Sequence, residues 1–478
     1  MGKNAIRKKI ALVNYHGEVF SPFAQRLEAD GFEIFWINSR PISSRRILTE
    51  GIGKDRICEV LWGKPIVTQE QEAKRILAEF EQPGLPTINS IILMSGVLRY
   101  ARYKDALLYL SNTAIITKKF LLEQEIGLVS SGRDTALQLL VMLICKKLGI
   151  FWGCVTRTKL PIERFGFSPT QQGDEFYRIK EVQKNDYDFA AEWLQRFRSD
   201  RRIKPGARPK INSFAYYFKA AKKGFLVSLS HFMHLLRYKS DRKIPGSSFL
   251  LHIWILIKEF RNYICYRLFL KFDKPADEPF VLYGLHRQPE SSIDVRGAFF
   301  DEQLTLIKQI SRSLPLTHKL YVKVHFSDVA GQTPHFYKTL KSYPGIKLID
   351  PDVNSRDLIE RAAIIITNSG AMGQEGGYLG RPVIVMSKML WSGLPTVRYC
   401  DAPPELPGLI RQLIESPPVA DDVKIIQVIA ELVANSVACD PNQDYLGKEL
   451  SENDLDVLSC AYSQLFSFAE KECLRIGR

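Results

Sequence analysis

Small and polar residues suited to holding a phosphate group lie in the segment AIIITNSGAMGQEGGYLGRPVIV, residues 363–385. Gly370 and Gly373 have no Cβ atom, so a ligand can approach the backbone closely there, and Ser369 offers a hydroxyl. The helix expected after this turn directs its free N–H groups and the positive end of its dipole at the turn. Glu375, one helical turn further on, could accept hydrogen bonds from sugar or ribose hydroxyls. The pattern favours a phosphate or diphosphate at the turn.

Two side chains that could contact the same phosphate lie at the end of an earlier predicted strand. Lys323 and His325 occupy alternate positions at the end of the apolar run Leu320–Val324, so their side chains point the same way. They would bring one fixed cation and one titratable ring. A plain strand–turn–helix unit with a tight glycine turn is the alternative explanation of SGAMG taken alone. The residues VKVH before it and LGRPVIV after it favour a ligand site.

A parallel sheet must position these residues, because short apolar strands alternate with helices along this part of the chain. Ligands bind at the carboxyl ends of the strands in such sheets. The predicted strands are Phe280–Leu285, Leu320–Val324, Ile346–Ile349, Ala363–Thr367 and Val383–Met386.

A second α/β unit is predicted at the start of the chain, where strands over residues 10–14 and 32–38 flank a helix over residues 22–30. The first loop lacks GxGxxG, so dinucleotide binding is not supported there. His16 and Glu18 lie in that loop, where an α/β sheet presents ligands, and they are candidates for catalysis. A loop without a catalytic role is the alternative.

Further along the same unit the sequence predicts a strand over Ser90–Met94 and an apolar helix over Ala136–Leu148. Asp134 is the candidate N-cap of that helix. Gly149 is expected to end it.

Ordered motifs over residues 278–400 resemble the C-terminal half of bacterial capsular polysaccharide biosynthesis proteins, a group similar to the β-Kdo-type capsule glycosyltransferases. The family pattern is a strand ending in His followed by Pro-Glu, a strand ending Lys-Glu-His-Pro, a Ser-Gly-x-x-Gly-x-Glu helix start, and Gly-Lys-Pro-Val. The matching residues are His286, Pro289-Glu290, Lys323, His325, Ser369-Gly370, Gly373, Glu375 and Gly380-Arg381-Pro382-Val383. Two positions depart from the pattern, since Val324 stands where Glu is usual and Phe326 where Pro is usual.

The resemblance implies a GT-B-like glycosyltransferase, α/β in class, with two Rossmann-like domains, a basic helical insertion and C-terminal helices. Its donor would be a nucleotide-activated sugar, CMP- or UDP-linked, and its acceptor a growing surface or capsular polysaccharide or a glycolipid. Lys323, His325 and the Ser369–Gly373 helix start would hold the donor phosphates. Glu375 would hold ribose or sugar hydroxyls.

Catalysis of sugar transfer needs a base for the acceptor hydroxyl and a positive group for the leaving phosphate. His286 and Glu290 are the candidate bases on the C-terminal side, and the sequence does not rank them. His16 and Glu18 are the candidates on the N-terminal side. No cofactor is expected, and no metal, because such folds often work without one and no DxD motif is placed to hold one.

Two other classes of function stay open. One is a polyol-phosphate transferase or a sugar epimerase on the same fold. The other is a non-catalytic protein that binds membranes or nucleic acid through its basic segment. No RRM, KH or zinc signature accompanies that segment, so a nucleic-acid partner is not expected.

Charge and composition fit an anionic partner. The 478 residues include 66 Lys and Arg against 52 Asp and Glu, a net charge of +14, which suits nucleotide phosphates or anionic headgroups. The 8 cysteines are scattered without a CxxC pair, which favours free thiols in a reducing cytosol. The chain shows no secretory signal and no apolar run of the length that crosses a membrane. A cytoplasmic location, peripheral on the inner face of the plasma membrane, is therefore expected.

The expected division is an N-terminal acceptor-side domain over residues 1–175, a basic helical insertion over 176–277, a nucleotide-sugar domain over 278–400 and C-terminal helices over 401–478. The last helix is expected to cross back to the N-terminal domain. The insertion mixes aromatic, aliphatic and basic residues in two helical patterns, which indicates a membrane-surface element. A helical hairpin that packs on the core is the alternative.

Overall fold

The computed structural model describes residues 7–14, 17–39, 52–60, 65–161, 164–201, 229, 249–288, 290–325, 331–439 and 450–476. These residues divide into two compact units. Described residues up to Glu181 and from Val433 onward form the first unit, and those between Val182 and Leu432 form the second.

The first unit contains a six-stranded sheet with the order β3-β2-β1-β4-β5-β6, in which β6 alone runs antiparallel to its neighbour. The strands are almost wholly buried apolar runs, as expected for a sheet covered on both faces. They are β1 (Lys9–Val13), β2 (Glu33–Asn38), β3 (Ile57–Glu59), β4 (Leu128–Ser131), β5 (Phe151–Arg157) and β6 (Phe165–Ser168).

The second unit repeats this plan with an all-parallel sheet ordered β12-β11-β10-β7-β8-β9. Its strands are β7 (Phe280–Gly284), β8 (Lys319–Lys323), β9 (Ile346–Ile349), β10 (Ile364–Thr367), β11 (Val383–Val385) and β12 (Val397–Tyr399). Counted along the chain, each sheet has the order 3-2-1-4-5-6 of doubly wound nucleotide-binding folds. The predicted fold class, α/β with two Rossmann-like domains and C-terminal helices, is confirmed.

Helices connect the strands and cover the sheets. They are α1 (Gly17–Ala29), α2 (Glu70–Ala78), α3 (Ile88–Met94), α4 (Tyr103–Glu123), α5 (Ala136–Leu148), α6 (Lys184–Ser199), α7 (Phe249–Phe269), α8 (Ser291–Asp294), α9 (Gln303–Ser313), α10 (Pro334–Lys341), α11 (Ser355–Arg361), α12 (Ala371–Tyr378), α13 (Leu406–Glu415), α14 (Asp422–Ala434) and α15 (Glu452–Ile476). Among the described residues no helix is both long enough and apolar enough to cross a membrane.

The C-terminal helix α15 belongs to the first unit and packs into its core. The ring of Tyr462 lies 4.9 Å from that of Phe23 on α1, and the ring of Phe466 lies 5.3 Å from that of Phe32. The Tyr462 hydroxyl also shares a buried 2.8 Å hydrogen bond with Ser130 on β4. Such aromatic pairs add about 0.5–1.5 kcal/mol each beyond area burial, so α15 is part of this unit's core.

One predicted strand is wrong. Residues 88–94 form helix α3 instead of a strand over Ser90–Met94. The run of β-branched residues favours a strand locally, but Ile88, Ile91 and Ile92 are buried at helical spacing. The Thr87 side chain also caps the helix by accepting the N–H of Ser90 at 3.2 Å.

The predicted N-cap of α5 is also wrong, although the bounds of the helix are correct. Thr135, not Asp134, occupies the N-cap and forms a capping box with Gln138. The Thr135 hydroxyl accepts the Gln138 N–H at 3.3 Å, and the Gln138 amide oxygen accepts the Thr135 N–H at 3.1 Å. The two side chains thus each accept a backbone N–H that has no partner within the helix. A single Asp at the N-cap would accept only one of them.

Helices α6 and α7 are the helices of the predicted insertion that the structure describes, and both belong to the second unit. On α6, Trp193 and Phe197 stack at 5.1 Å and both pack edge-on against Tyr378 of α12. Arg198 donates to the Tyr378 carbonyl and pairs with Asp422 at 2.8 Å. Most of the remaining basic segment lies outside the described residues, and the predicted domain boundaries stay a prediction.

Candidate functional site

The residues of the second unit that could bind a ligand or take part in a reaction lie where its strand order reverses. Strands β7, β8 and β9 build the sheet in one direction, and β10, β11 and β12 build it in the other, so β7 and β10 are neighbours at the switch point. Ligands of open α/β sheets bind in the crevice at the carboxyl ends of such a pair. His286 follows β7 there, and the turn Asn368-Ser369-Gly370 follows β10.

The backbone of His286 is clamped by one buried side chain. The amide oxygen of Gln303, at the start of α9, accepts the His286 N–H at 2.7 Å. The Gln303 amide nitrogen donates to the His286 carbonyl at 3.0 Å and to the side-chain oxygen of Gln288 at 2.8 Å. His286 itself is 6% exposed. The backbone of His286 is therefore fixed at the carboxyl end of β7, and the residue is almost wholly buried there.

Thr367, the last residue of β10, links His286 to the glycine turn. Its hydroxyl oxygen accepts the Gly370 N–H at 2.9 Å and lies 3.4 Å from Nε2 of His286. A Cβ atom on Gly370 would lie 2.7 Å from that hydroxyl and 3.2 Å from Cε1 of His286. Only glycine fits here without displacing a neighbour, so the turn and the imidazole form one packed group.

Asn368 and Ser369 connect the turn to the segment 291–300, which begins with α8. The Asn368 amide donates to the carbonyls of Gly297 at 3.2 Å and Phe300 at 3.1 Å, and its oxygen accepts from the Ser387 hydroxyl at 2.6 Å. The Ser369 hydroxyl donates to the carbonyl of Ser292. Both residues are fully buried, so they shape the site, and the hydroxyl proton of Ser369 is directed at protein.

Helix α12 presents its amino end to this crevice. Gly370 is the N-cap and has no side chain to cap the first turn. The Gly373 N–H donates to the Gly370 carbonyl at 3.2 Å, and the earlier amides of the helix, together with its dipole, suit an anion. The side chain of Met372 packs against Gly284, where a Cβ would lie 3.0 Å from the Met372 methyl. The start of α12 is thus seated on the carboxyl end of β7.

Substitution of Gly373 should destabilise the protein, because an added Cβ would lie 2.6 Å from the Thr367 methyl and 2.7 Å from the Trp391 ring. We expect Gly373→Ala to lower the free energy of unfolding by about 1–3 kcal/mol, the usual effect of overpacking. Gly408→Ala is the matched control, since that helical glycine has no atom within 4 Å of an added Cβ. It should raise stability by up to about 1 kcal/mol. Denaturant titration measures both, and an equal effect of the two substitutions would contradict the packing argument.

The two predicted carboxylates have different surroundings. Glu375 is half-buried on α12, one turn beyond Ala371. Its neighbour Gln374 is fully buried and donates to the Tyr378 hydroxyl at 3.0 Å. Glu290 is exposed, forms the N-cap of α8, and donates its backbone N–H to Asp294 at 3.0 Å. The Glu290 carboxylate is therefore in solvent at the edge of the His286 loop.

Lys323 is the predicted residue whose contacts differ most from expectation. It is 4% exposed, and its ammonium donates to the carbonyls of Pro351 at 2.8 Å and Asp350 at 3.4 Å. These contacts join the ends of β8 and β9. They also give the two backbone carbonyl groups a hydrogen-bond donor. His325, two residues later, is half-buried. Lys323 thus braces the strand ends from which His325 projects.

The structure brings together His286, Ser369 and Gly370, and it adds Thr367 and Gln303, which sequence reasoning missed. A polar residue at the end of an apolar strand was the only available signal for Thr367. His16 lies outside the described residues. Glu18 lies in α1, but its side chain is not described, so its predicted catalytic role stays a prediction. Within the described parts of the chain, no group of three or more His, Cys, Asp or Glu could hold a metal ion.

The first unit has a comparable polar edge, also missed from the sequence. Strands β1 and β4 are neighbours at its switch point. Asn14, after β1, has a left-handed φ of 57°, which asparagine tolerates better than most residues. Its amide donates to the Thr135 hydroxyl at 3.1 Å, and its oxygen accepts from the Ser39 N–H at 2.9 Å. Hydrogen bonds therefore link the loops that follow β1, β2 and β4.

Comparison with known proteins gives low similarities. No protein-family model matches the chain, and no curated protein matches it. Solved structures that match include a β-Kdo 2,7 transferase, KpsC of Thermosulfurimonas dismutans, 11% identical over 68% of this chain and 82% of that chain, with a TM-score of 0.33. A glycosyltransferase of Rickettsia africae is 12% identical over 97% of this chain and 98% of that chain, with a TM-score of 0.28. MnaA of S. aureus, solved with UDP, is 14% identical over 93% of this chain and 99% of that chain, with a TM-score of 0.27. The fold assignment rests on the strand order of the two sheets, and membership of the capsule biosynthesis family stays a prediction.

Proposed function

We propose that the protein is a glycosyltransferase that moves a sugar from a nucleotide-activated donor to a growing surface polysaccharide or glycolipid. The observation that carries this proposal is the meeting of His286 with the Gly370 turn and the amino end of α12, at the switch point of the second sheet. An anion site beside a titratable ring is what cleavage of a sugar–phosphate bond requires.

The donor phosphates are placed at the amino end of α12. The glycine at position 370 lets them approach the backbone, and the helix dipole favours their negative charge. Glu375 would accept hydrogen bonds from ribose or sugar hydroxyls on the same helix. His325 would contact a phosphate oxygen, and Lys323 would position it by bracing β8 against β9.

The transfer step joins an acceptor oxygen to the anomeric carbon of the donor sugar. The bond between that carbon and the phosphate oxygen breaks, and the nucleotide leaves with the electron pair. His286 or Glu290 would take the proton of the acceptor hydroxyl, and the α12 amides would stabilise the charge on the leaving phosphate. These residues need no cofactor for this chemistry.

Acceptor recognition is assigned to the first unit, as the sequence indicates. His16 and Glu18 remain candidate catalytic groups there. The buried Asn38, at the end of β2, supports a polar ligand at this edge, because neither atom of its amide has a hydrogen-bond partner among the described residues. Buried amides without a partner are rare in proteins.

A thermal-shift screen of CMP-, UDP-, GDP- and CDP-linked sugars tests the proposal. A CMP- or UDP-linked sugar should raise the melting temperature, because a ligand at a hundredfold excess over Kd adds about 2.7 kcal/mol to stability. The stabilising compound should then label a glycan acceptor. Transfer from CDP-glycerol, or epimerisation without an acceptor, would replace the proposal with another reaction of the same fold. Failure of all four nucleotide classes to bind would overturn it.

A further inference from the structure

Helix α7 has one face fixed in the core of the second unit. Asn262, Tyr263 and Tyr266 are buried, and both tyrosines belong to the main hydrophobic cluster of that unit. The Tyr266 ring lies 5.4 Å from that of Phe272 and 6.2 Å from that of Tyr337 on α10. The helix is therefore packed into the unit through this face, which fixes which positions of α7 point outward.

The outward face of α7 is apolar, which is unusual for an exposed surface. Trp254 is 58% exposed, Ile257 63% and Leu268 69%. Together with Arg261 these positions are spaced by 3, 7 and 14 residues from Trp254 and so form one stripe along the helix. Phe260 and Phe269, at 41% and 77% exposure, border the stripe. Several large apolar side chains exposed on one helix face indicate an interaction site.

Basic groups accompany the apolar stripe. The Lys258 ammonium lies 5.4 Å above the Trp254 ring, and Arg261 is exposed within the stripe. The sequence of α7 contains Lys258, Arg261 and Arg267 against a single acid, Glu259. Burial raises the pKa of the Glu259 carboxyl, with Arg287 and Lys258 acting in the opposite direction. The face combines apolar area with positive charge.

We propose that the outward face of α7 docks the protein on the surface of an anionic lipid bilayer. The 21 residues of α7 give a rod of about 30 Å. A helix with this distribution lies in the plane of the interface, with aromatic and aliphatic side chains inserted and basic groups among the headgroups.

Charge distinguishes a bilayer from the other occupants of such a face. A second copy of this chain would oppose Lys258 and Arg261 with the same basic groups in a symmetric dimer, at a cost in like-charge repulsion. An anionic headgroup layer is complementary to the face in both its charge and its apolar character.

Vesicle co-sedimentation with the full chain tests the proposal. The protein should sediment with vesicles of phosphatidylglycerol and phosphatidylcholine at low salt and stay in solution with phosphatidylcholine alone. Replacing Lys258 and Arg261 with Gln should weaken binding about 25-fold, at about fivefold for each basic group. Trp254→Ser with Leu268→Ser should remove the fraction that stays bound at about 0.5 M salt, where charge attraction is screened.

The control removes exposed apolar groups elsewhere in the same unit. Leu316 and Val423 are 102% and 77% exposed, and Leu316→Ser with Val423→Ser should bind vesicles like the wild-type protein. The proposal is overturned if the wild type ignores anionic vesicles or if the α7 variants bind as it does. A lower melting temperature of the Trp254 and Leu268 variant would show that protein covers the face. If the wild-type protein is a dimer in ultracentrifugation and the Trp254 and Leu268 variant is a monomer, the face is a dimer interface. Sedimentation, melting temperature and ultracentrifugation are all measured without a nucleotide sugar, so the result is independent of the proposed transferase activity.

Discussion

Replacing His286 with Gln should reduce sugar transfer by about 10²–10⁴-fold, the contribution of a positioned acid or base. Glutamine keeps most of the ring's volume and polarity, so the buried site should stay filled. The clamp from Gln303 acts on the backbone of residue 286 and is unchanged by the substitution. The fold should therefore survive while the proton-transfer step is lost. Initial rates of transfer at saturating donor measure the effect.

Two further measurements separate a catalytic role of His286 from a structural one. The melting temperature and the donor Kd of His286→Gln should stay close to those of the wild type. His335→Gln is the matched control, because His335 is an exposed histidine on α10 of the same unit, and its rate should not change. Normal turnover by His286→Gln would exclude His286 as the base and leave Glu290 as the candidate in that loop.

The sheets could be predicted from the sequence because their strands are short apolar runs rich in β-branched residues. The bounds of β9 match the prediction, and β10 differs from it by one residue. Such strands are buried on both faces, so local composition is enough to identify them. Helix α3 shows the limit of this signal, since its isoleucines favour a strand locally and only the burial pattern and the Thr87 cap decide for a helix.

The contacts within the candidate site could not be predicted, because they depend on which strands are neighbours. Thr367 and His286 are 81 residues apart in the chain, and they meet only because β10 pairs with β7. Alternation along β8 placed Lys323 at the carboxyl edge correctly. It could not show that the end of β9 supplies two carbonyl groups as its partners. Residue type and strand direction therefore indicated candidate residues at the strand ends, and long-range pairing determined which of them contact one another.

Replacing Glu375 with Gln should weaken binding of the nucleotide sugar by about 10- to 100-fold, since hydrogen bonds to a charged group contribute about 1.5–3 kcal/mol. Glu375 is half-buried on the helix whose amino end would hold the phosphates, so its carboxylate would lie within about one turn of the sugar or ribose in the proposed complex. Glutamine preserves the shape and removes the charge, so the melting temperature without ligand should change little. Calorimetric titration with the donor found in the thermal-shift screen gives the two Kd values.

Inorganic diphosphate distinguishes a role in holding hydroxyls from a role in holding phosphates. It carries no sugar or ribose hydroxyl for Glu375 to bind, and a carboxylate near the α12 amides would repel it. Glu375→Gln should therefore bind diphosphate as tightly as the wild type or more tightly, while it loses affinity for the nucleotide sugar. Glu415→Gln, on the exposed side of α13, should leave both affinities unchanged. Equal losses for diphosphate and nucleotide sugar would mean that the substitution disturbs the helix itself, and unchanged affinity for the nucleotide sugar would remove Glu375 from the donor site.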